Sequence, residues 1–217
     1  ARFGALAVVR RLRDKPVALL ERMLATGIGA PRVSSCGRLF DAAAAALDVC
    51  FEQQTFEAQA PLALEALATR DAVAEAVLER SRDAPYPMAV LALPPTAANA
   101  GMPYLATAGL WRALLGDLAG GVPAALIAAR FHVAVAAGFA RLCASVVEPS
   151  CPRVALSGGC FQNAVLQQRV ESELGAFGLQ VITHAQVPAN DGGIAYGQAL
   201  VTLARCAQQP AEVHRCV

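Results

Sequence analysis

The chain has 217 residues, of which 56% are hydrophobic and only 16% are charged, and its formal net charge is +1. This length is enough for one large domain or two modest ones, while the near-zero charge offers no electrostatic basis for partners such as nucleic acid or an anionic membrane surface. No run reaches the about 18–20 uncharged apolar residues of a membrane span, and the N-terminus lacks the form of a signal peptide, so we expect a soluble, cytoplasmic protein.

Residues 1–84 form a predicted helical part. Apolar periodicity and strong helix formers indicate five helices in it. These helices run from Arg2 to Arg13, Val17 to Thr26, Leu39 to Leu47, Ala60 to Ala68 and Asp71 to Arg82. Gly27 has the character of a C-cap, and Ser34-Ser35 supplies an N-cap before the third helix.

Residues 85–217 form a predicted α/β part. A proline-bounded apolar run over residues 86–95 indicates a short edge strand, and a loop is expected from Pro95 to Pro103. Two helices follow, over Ala108 to Leu118 and Ala124 to Val147, and His132 lies beside the apolar stripe of the second as a helix-packing residue. From about residue 152 to 206, strand, helix, strand and helix alternate, an order that predicts a parallel or mixed sheet.

The motif Ser157-Gly158-Gly159 joins a predicted strand ending at Leu156 to a predicted helix beginning at Ala164. Adjacent glycines let backbone N–H groups approach an anion, and the following helix directs its positive end to the same place. Asn163 is within reach of a ribose or a base edge there. Taken alone, such a turn more often reflects strand-to-helix packing.

A second turn of the same kind contains Asp191, between a predicted strand over Gln180 to Thr183 and a predicted helix over Gly192 to Ala204. The carboxylate can cap that helix. It can also hold a divalent metal ion against a phosphate in the neighbouring turn. Two strand–glycine–helix turns in one small unit favour a shared ligand.

The seven cysteines form no C-x-x-C pair and are interpreted as reduced, mostly buried thiols. Cys160 lies beside the predicted helix N-terminus, where the pKa of a thiol can fall. Packing is still favoured over nucleophilic catalysis for it, because no histidine is an obvious base partner. His132, His184 and His214 have no metal-binding spacing, and each is interpreted as structural.

Three segments carry a family resemblance, residues 34–42, 157–163 and 188–193, and residues 56–65 add a weaker match. Together they resemble the C-terminal carbamoyltransferase domain of the HypF family, from near Ala1 to about Ala207. That domain belongs to the actin-like ATPase superfamily and is related to the tRNA threonylcarbamoyl transferases. The resemblance implies a helix-rich α/β fold, an actin-like ATPase or RNase H-like lobe with a small mixed sheet.

The resemblance also implies an activity and its residues. The enzymes make carbamoyl-adenylate from carbamoyl phosphate and ATP, and pass the carbamoyl group to a C-terminal cysteine of HypE for the cyanide ligand of NiFe hydrogenases. The implied nucleotide-binding residues are Gly37, Asp41, Ser157, Gly158, Gly159 and Asn163. Asp191 is the implied ligand of a divalent metal ion.

The chain departs from the family pattern in several ways. The acylphosphatase-like domain, the zinc fingers, the adenylate-forming domain and an H-x-x-x-H metal-ligand pair are missing, so we expect one incomplete transferase domain that is inactive alone. Its apolar composition predicts a face for the missing N-terminal portion, or for a second copy in a homodimer. Cys36 and Cys160 replace a small residue and a valine.

Two other functions remain open at this point. A tRNA threonylcarbamoyl transferase-like protein would share the nucleotide site, although the absence of a basic stripe counts against it. A non-catalytic nucleotide-binding or docking module would keep the fold without the chemistry.

Overall fold

The computed structural model describes residues 3–31, 33–84, 86–94 and 101–208. Within these ranges the chain forms nine α-helices and four short strands. In chain order they are α1 (Ala7–Arg13), α2 (Val17–Thr26), α3 (Cys36–Ala46), α4 (Gln59–Leu67), α5 (Arg70–Arg82), β1 (Ala89–Ala92), β2 (Pro103–Ala106), α6 (Ala108–Ala119), α7 (Ala124–Val146), β3 (Arg153–Ala155), α8 (Ala164–Ala176), β4 (Gln180–Ile182) and α9 (Ile194–Gln208).

The helices of the first part confirm the sequence pattern and correct several of its boundaries, by one residue in α4 and α5 and by more in α1 and α3. Helix α2 has the predicted ends, and Gly27 is its left-handed C-cap with a φ of 73°. Helix α3 begins three residues before Leu39, because the Ser35 hydroxyl accepts a hydrogen bond from the Arg38 amide and caps the first turn. Helix α1 begins only at Ala7, so the predicted start at Arg2 was wrong.

The strands pair as two separate two-stranded sheets instead of one mixed sheet. Strand β1 confirms the predicted edge strand and pairs antiparallel with β2, which lies just after the predicted loop and was not predicted. Residues 95–100 of that loop lie outside the described residues. Strands β3 and β4 are parallel, with Val154 opposite Val181, as the strand–helix–strand order predicts.

Helix α7 is the centre of the molecule and packs against α4, α5, α6 and α8. One hydrophobic core joins the two parts of the chain, and its fully buried side chains include Leu64, Leu110, Phe131 and Leu166. Burial of one such side chain stabilises the fold by about 1.5–3 kcal/mol. Helix α7 is long and apolar enough to cross a membrane, but 67% of its apolar window is buried here, as in the core helix of a soluble protein.

Helices α2 and α9 have no buried residue at all. In α9, a 3-10 turn over Asp191–Gly193 comes first, and the helix proper begins at Ile194 instead of Gly192. Its apolar side chains are exposed, with 65% of Leu203 and 54% of Tyr196 accessible. These two helices therefore contribute little to the core.

Candidate functional site

The carboxyl ends of the parallel strands β3 and β4 lie side by side. Ala155 and Ile182 are paired in register at these ends, and Ser157 and His184 each follow two residues later. His184 Nε2 lies 3.1 Å from Ser157 Oγ, and both residues are exposed. Ligands of parallel α/β sheets bind beyond this edge, so the pair lies where a site is expected.

This pairing was missed in the sequence analysis, which interpreted His184 as structural. The signal was available, because parallel strands in register bring residues at equal offsets from their ends together. Ser157 and His184 have that equal offset.

The turn after β3 has an irregular backbone that depends on glycine. Gly158 has a φ of 104°, a conformation that other residues rarely adopt. A short 3-10 turn over Gly159–Gln162 follows, and α8 begins only at Ala164. The amides of Gly159 and Cys160 donate to no acceptor within the described part of the chain. Two backbone donors are therefore available to an anion.

The turn contacts the second glycine motif directly. The Gly158 amide donates to the Ala189 carbonyl over 2.8 Å. A Cβ atom added to Gly159 would lie 3.9 Å from the Asn190 Cβ. The structure thus brings together the two motifs that the sequence analysis assigned to one ligand.

Asp191 is the residue after Asn190, and its side chain is exposed. The Asn190 side chain, not the Asp191 carboxylate, accepts the capping hydrogen bond from the Gly192 amide, at 3.1 Å. The capping alternative for Asp191 is therefore wrong. Its carboxylate has no hydrogen bond or ion pair with the residues that the structure describes. Gly193 must be glycine, since a Cβ there would lie 2.8 Å from the Pro188 carbonyl.

A divalent ion needs more ligands than Asp191 supplies. Within the described ranges no group of three His, Cys, Asp or Glu side chains could hold a metal, whereas Ca²⁺ and Mg²⁺ take about six or more ligands. The described residues thus do not form a metal site, although Asp191 is free to provide one ligand.

The first motif lies on the other side of the glycine turn. A Cβ on Gly37 would lie 3.9 Å from the Cys160 sulfur, and α3 contacts the 3-10 turn there. Asp41 accepts hydrogen bonds from Arg38 at 3.3 Å and Gln54 at 3.4 Å. Gly37 is therefore close to the turn, whereas the hydrogen bonds of Asp41 are to Arg38 and Gln54.

Asn163 is buried, and its side chain caps α8 and contacts His132. Its Oδ1 accepts a hydrogen bond from the Leu166 amide at 2.7 Å and caps α8. Its Nδ2 lies 3.0 Å from the Nε2 of His132, which is fully buried and confirmed as a helix-packing residue. A contact of Asn163 with a ribose or base stays a prediction.

The N-terminus of α8 is occupied by side chains. The Ala164 amide donates to Glu65 Oε1 over 2.7 Å, and Asn163 accepts from the third residue of the helix. The Ala164 and Leu166 amides are therefore not available to an anion, and an effect of the positive end of this helix on a phosphate stays a prediction. The free donors belong to the preceding 3-10 turn instead.

A cleft of about 170 Å³ opens beside the Ser157–His184 pair. The accessible surface of the cleft is mostly polar although several lining residues are apolar, which suits a small polar ligand. The lining residues are Leu156, Phe161, Gln162, Gln167, Thr183, His184, Val187, Pro188 and Ala189.

Fold and site together define a helix-rich α/β lobe with a glycine turn at the carboxyl ends of parallel strands. The family model described as "Carbamoyltransferase, Kae1-like Domain, second subdomain" matches residues 4–198. The chain belongs to this HypF carbamoyltransferase family, which confirms the resemblance and the fold class predicted from the sequence.

Individual relatives agree with this assignment. A "Carbamoyltransferase HypF homolog" of Cupriavidus necator is 38% identical over 216 residues, which cover 96% of this chain and 48% of the relative. The "Carbamoyltransferase HypF" of Rhodobacter capsulatus is 35% identical over 191 residues, 88% of this chain and 22% of the relative. The chain thus spans between about a fifth and a half of these relatives.

Solved structures show the same fold. The crystal structure of full-length HypF in the phosphate- and nucleotide-bound form has a TM-score of 0.69 and 26% identity, and the match covers 96% of this chain and 26% of that one. The structure of HypF from T. kodakarensis has a TM-score of 0.63, with a match over 87% of this chain and 22% of that one.

Proposed function

We propose that this chain is the part of a HypF-type carbamoyltransferase that holds carbamoyl-adenylate during transfer of the carbamoyl group to the C-terminal cysteine of HypE. The adenylate would come from carbamoyl phosphate and ATP, and the product would serve cyanide ligand synthesis for NiFe hydrogenases. The observation that carries the proposal is the hydrogen bond from the Gly158 amide to Ala189, which holds the two glycine motifs together beside two free amides.

The free amides of Gly159 and Cys160 suit the phosphate of the adenylate. When the acceptor thiolate attacks the carbamoyl carbon, the bond from that carbon to the phosphate oxygen breaks and the electron pair leaves on AMP. Fixed N–H donors stabilise this developing charge, and one such donor contributes roughly 3–4 kcal/mol in well-studied cases. Little base catalysis is required, because a thiolate is already a strong nucleophile near neutral pH.

The neighbouring side chains would orient the ligand. His184 holds the Ser157 hydroxyl at 3.1 Å beside the turn, where that hydroxyl is available to a phosphate or ribose oxygen. Gly37 and Asp41 would close the nucleotide side. Asp191 would be one ligand of a divalent ion completed by residues outside those described, and the transfer step above does not rest on that ion.

Nucleotide binding by the chain is tested by calorimetry with AMP and ATP. Gly159→Val places a branched side chain at the free amides. The Cβ of the new side chain would lie 3.9 Å from the Asn190 Cβ, an ordinary contact distance, so we expect the protein to fold. We expect at least about a tenfold loss of affinity, since a blocked contact of this kind is worth more than 1.4 kcal/mol.

Gly175→Val is the matched control. Gly175 lies in α8, and a Cβ there meets no atom within 4 Å. Its affinity should equal that of the parent chain. Equal affinity for Gly159→Val and Gly175→Val would place the nucleotide elsewhere and contradict the proposal.

A second candidate is a non-catalytic nucleotide-binding or docking module. It is favoured by the lack of a three-ligand metal group within the described residues. Transfer of labelled carbamoyl to HypE, assayed with this sequence substituted for the matching region of a longer relative, separates the two. Transfer supports the carbamoyltransferase, whereas nucleotide binding without transfer supports the module.

A further inference from the structure

A cavity of about 30 Å³ lies between α5 and α7. Three arginines line it, Arg80 of α5 and Arg130 and Arg141 of α7. The other described residues of the lining are a tyrosine, a proline, a valine and alanines, and none of them is acidic. The cavity shares no residue with the cleft beside the Ser157–His184 pair. It is therefore a separate site, and the charged residues of its lining are all cationic.

Two of the three arginines hold carboxylates that lie outside the lining. Arg130 donates hydrogen bonds to Glu79 and Asp117, and Arg80 donates to Glu173 over 2.7 Å. Their charges are therefore compensated on the side away from the cavity.

Arg141 has no such partner. Its Nη2 donates to the Met88 carbonyl over 2.9 Å, and it forms no ion pair with any residue that the structure describes. Burial lowers the pKa of Arg141, and the charge of Arg80 acts in the same direction, against that of Glu173. A half-buried cation near a second cation costs free energy unless an opposite charge is present.

We propose that this cavity binds a chloride ion, which Arg80 and Arg141 hold as a counter-ion between α5 and α7. A guanidinium group has five N–H donors and no acceptor. Arg80 and Arg141 each use one of their nitrogens in the hydrogen bonds above, so donors remain for the ion. This site goes beyond the proposed transferase function and does not rest on it.

The size and lining of the cavity select the kind of anion. One water molecule needs about 10–15 Å³ of such space, so about 30 Å³ admits a single small ion and excludes a nucleotide or an organic acid. The apolar part of the lining favours a single negative charge, because the cost of removing an ion from water rises with its charge. Chloride meets both conditions.

The first test is chloride NMR of the full chain in a gluconate buffer to which sodium chloride is added. Exchange with a bound site broadens the chloride resonance, and bromide should reverse the broadening by competition. Arg141→Gln should weaken the chloride affinity by about tenfold or more, because a hydrogen bond to a charged group is lost. Arg82→Gln is the matched control, since Arg82 is exposed on the same helix as Arg80 and lies outside the lining.

Binding also predicts a higher Tm in sodium chloride than in sodium gluconate of equal ionic strength, because an ion that binds only the folded chain stabilises it. Arg82→Gln should keep this difference in Tm, and Arg141→Gln should lose it.

Bromide soaked into crystals of the unsubstituted chain should give an anomalous peak between Arg80 and Arg141. The absence of that peak would overturn the proposal, as would equal chloride broadening in Arg141→Gln and Arg82→Gln. The crystal result is read on the unsubstituted chain, so a variant that folds poorly does not decide the outcome. Nucleotide affinity plays no part in these measurements, so this proposal and the transferase function fail separately.

Discussion

The hydrogen bonds around His132 determine where its proton lies. Asn163 Oδ1 accepts from the Leu166 amide, so the amide nitrogen of Asn163 donates to His132 Nε2. The proton of the neutral ring is then on Nδ1, which donates to the Ala128 carbonyl over 2.8 Å. This chain of hydrogen bonds links α7 to the cap of α8, and a second ring proton would break it.

This arrangement predicts a pH-dependent stability. Burial lowers the pKa of His132 to about 4, against the opposing effect of the Ala128 hydrogen bond. The pKa of His132 in the folded protein lies below the unfolded value of about 6.5. The neutral His132 ring therefore makes its full contribution to the free energy of unfolding above pH 6.5. It is lost as the pH falls towards 4, by about 3 kcal/mol.

Urea denaturation between pH 7 and pH 4 measures this loss. In His132→Gln the decrease should be smaller than in the parent chain by about 3 kcal/mol, because no histidine is protonated at this position. His184→Gln, at an exposed site, should keep the full decrease. Parallel stability curves for the parent chain and His132→Gln would contradict the buried neutral imidazole.

Asn190 and Asp191 are neighbours with different roles, since only Asn190 caps the Gly192 amide. Asn190→Ala removes the side chain that caps the Gly192 amide and should cost about 1 kcal/mol of unfolding free energy. Asp191→Asn should change it by less than about 0.5 kcal/mol, since the carboxylate has no partner in the described structure. Transfer activity, measured in a longer relative that carries this sequence, should fall with Asp191→Asn and not with Asn190→Ala. A stability loss for Asp191→Asn would restore the capping role.

Some residue roles could be predicted from the local sequence and others could not. The glycine requirement at Gly158 and the packing role of His132 follow from local pattern. The contact between Asn163 and His132 does not, because it depends on how α7 crosses α8. The contact of His184 with Ser157 follows only once β3 and β4 are paired in register.

Three helices are tied together by one arginine. Arg130 of α7 donates two hydrogen bonds to Glu79 of α5 and one, at 2.6 Å, to Asp117 of α6, which also accepts from the Tyr86 hydroxyl at 2.7 Å. Only 14% of the Arg130 side chain is exposed. The hydrogen bond to Arg130 lowers the pKa of Glu79, as expected for a carboxylate held in its charged form.

Loss of Arg130 should therefore destabilise the fold more than loss of a surface ion pair. Arg130→Met leaves the partly buried carboxylates of Glu79 and Asp117 without their cation. We expect the free energy of unfolding to fall by about 2–3 kcal/mol, less than for a fully buried ion pair, because both carboxylates are partly solvated. Lys15→Met, which breaks the exposed pair with Glu52, should cost less than about 0.5 kcal/mol. Thermal unfolding of the two variants compares them, and equal costs would refute the network.

The elements themselves were predicted well where periodicity is strong. Helices α2, α6, α7 and α8 have their predicted starts because their apolar spacing is regular, and α8 is also capped by the Asn163 side chain. Strand β2 was missed because its four residues begin at a proline and follow a loop, and its pairing with β1 is a long-range contact. The short β3 and β4 were predicted from their apolar runs, and their parallel pairing follows from the order of elements.

At the scale of the whole molecule, the burial of apolar side chains is uneven. Helix α7 lies inside a well-filled core, whereas α2 and α9 expose large apolar residues. Tyr196, Leu200 and Leu203 recur on one side of α9 at spacings of four and three, with 54%, 48% and 65% of their surfaces accessible. Soluble monomers rarely expose apolar patches beyond roughly 300–600 Å², so this face favours association.

We therefore expect the chain to form a dimer in which α9 packs against α9 of a second copy, as two-fold symmetry allows. Light scattering over a concentration series, with a reductant present to exclude disulfides through Cys151 or Cys206, should show a mass that rises with concentration. Leu200→Glu with Leu203→Glu should shift the chain to monomer, because two charges would be buried at the contact. Gln198→Glu adds charge to the same helix and serves as the control. A chain that stays monomeric at high concentration would refute self-association through this face.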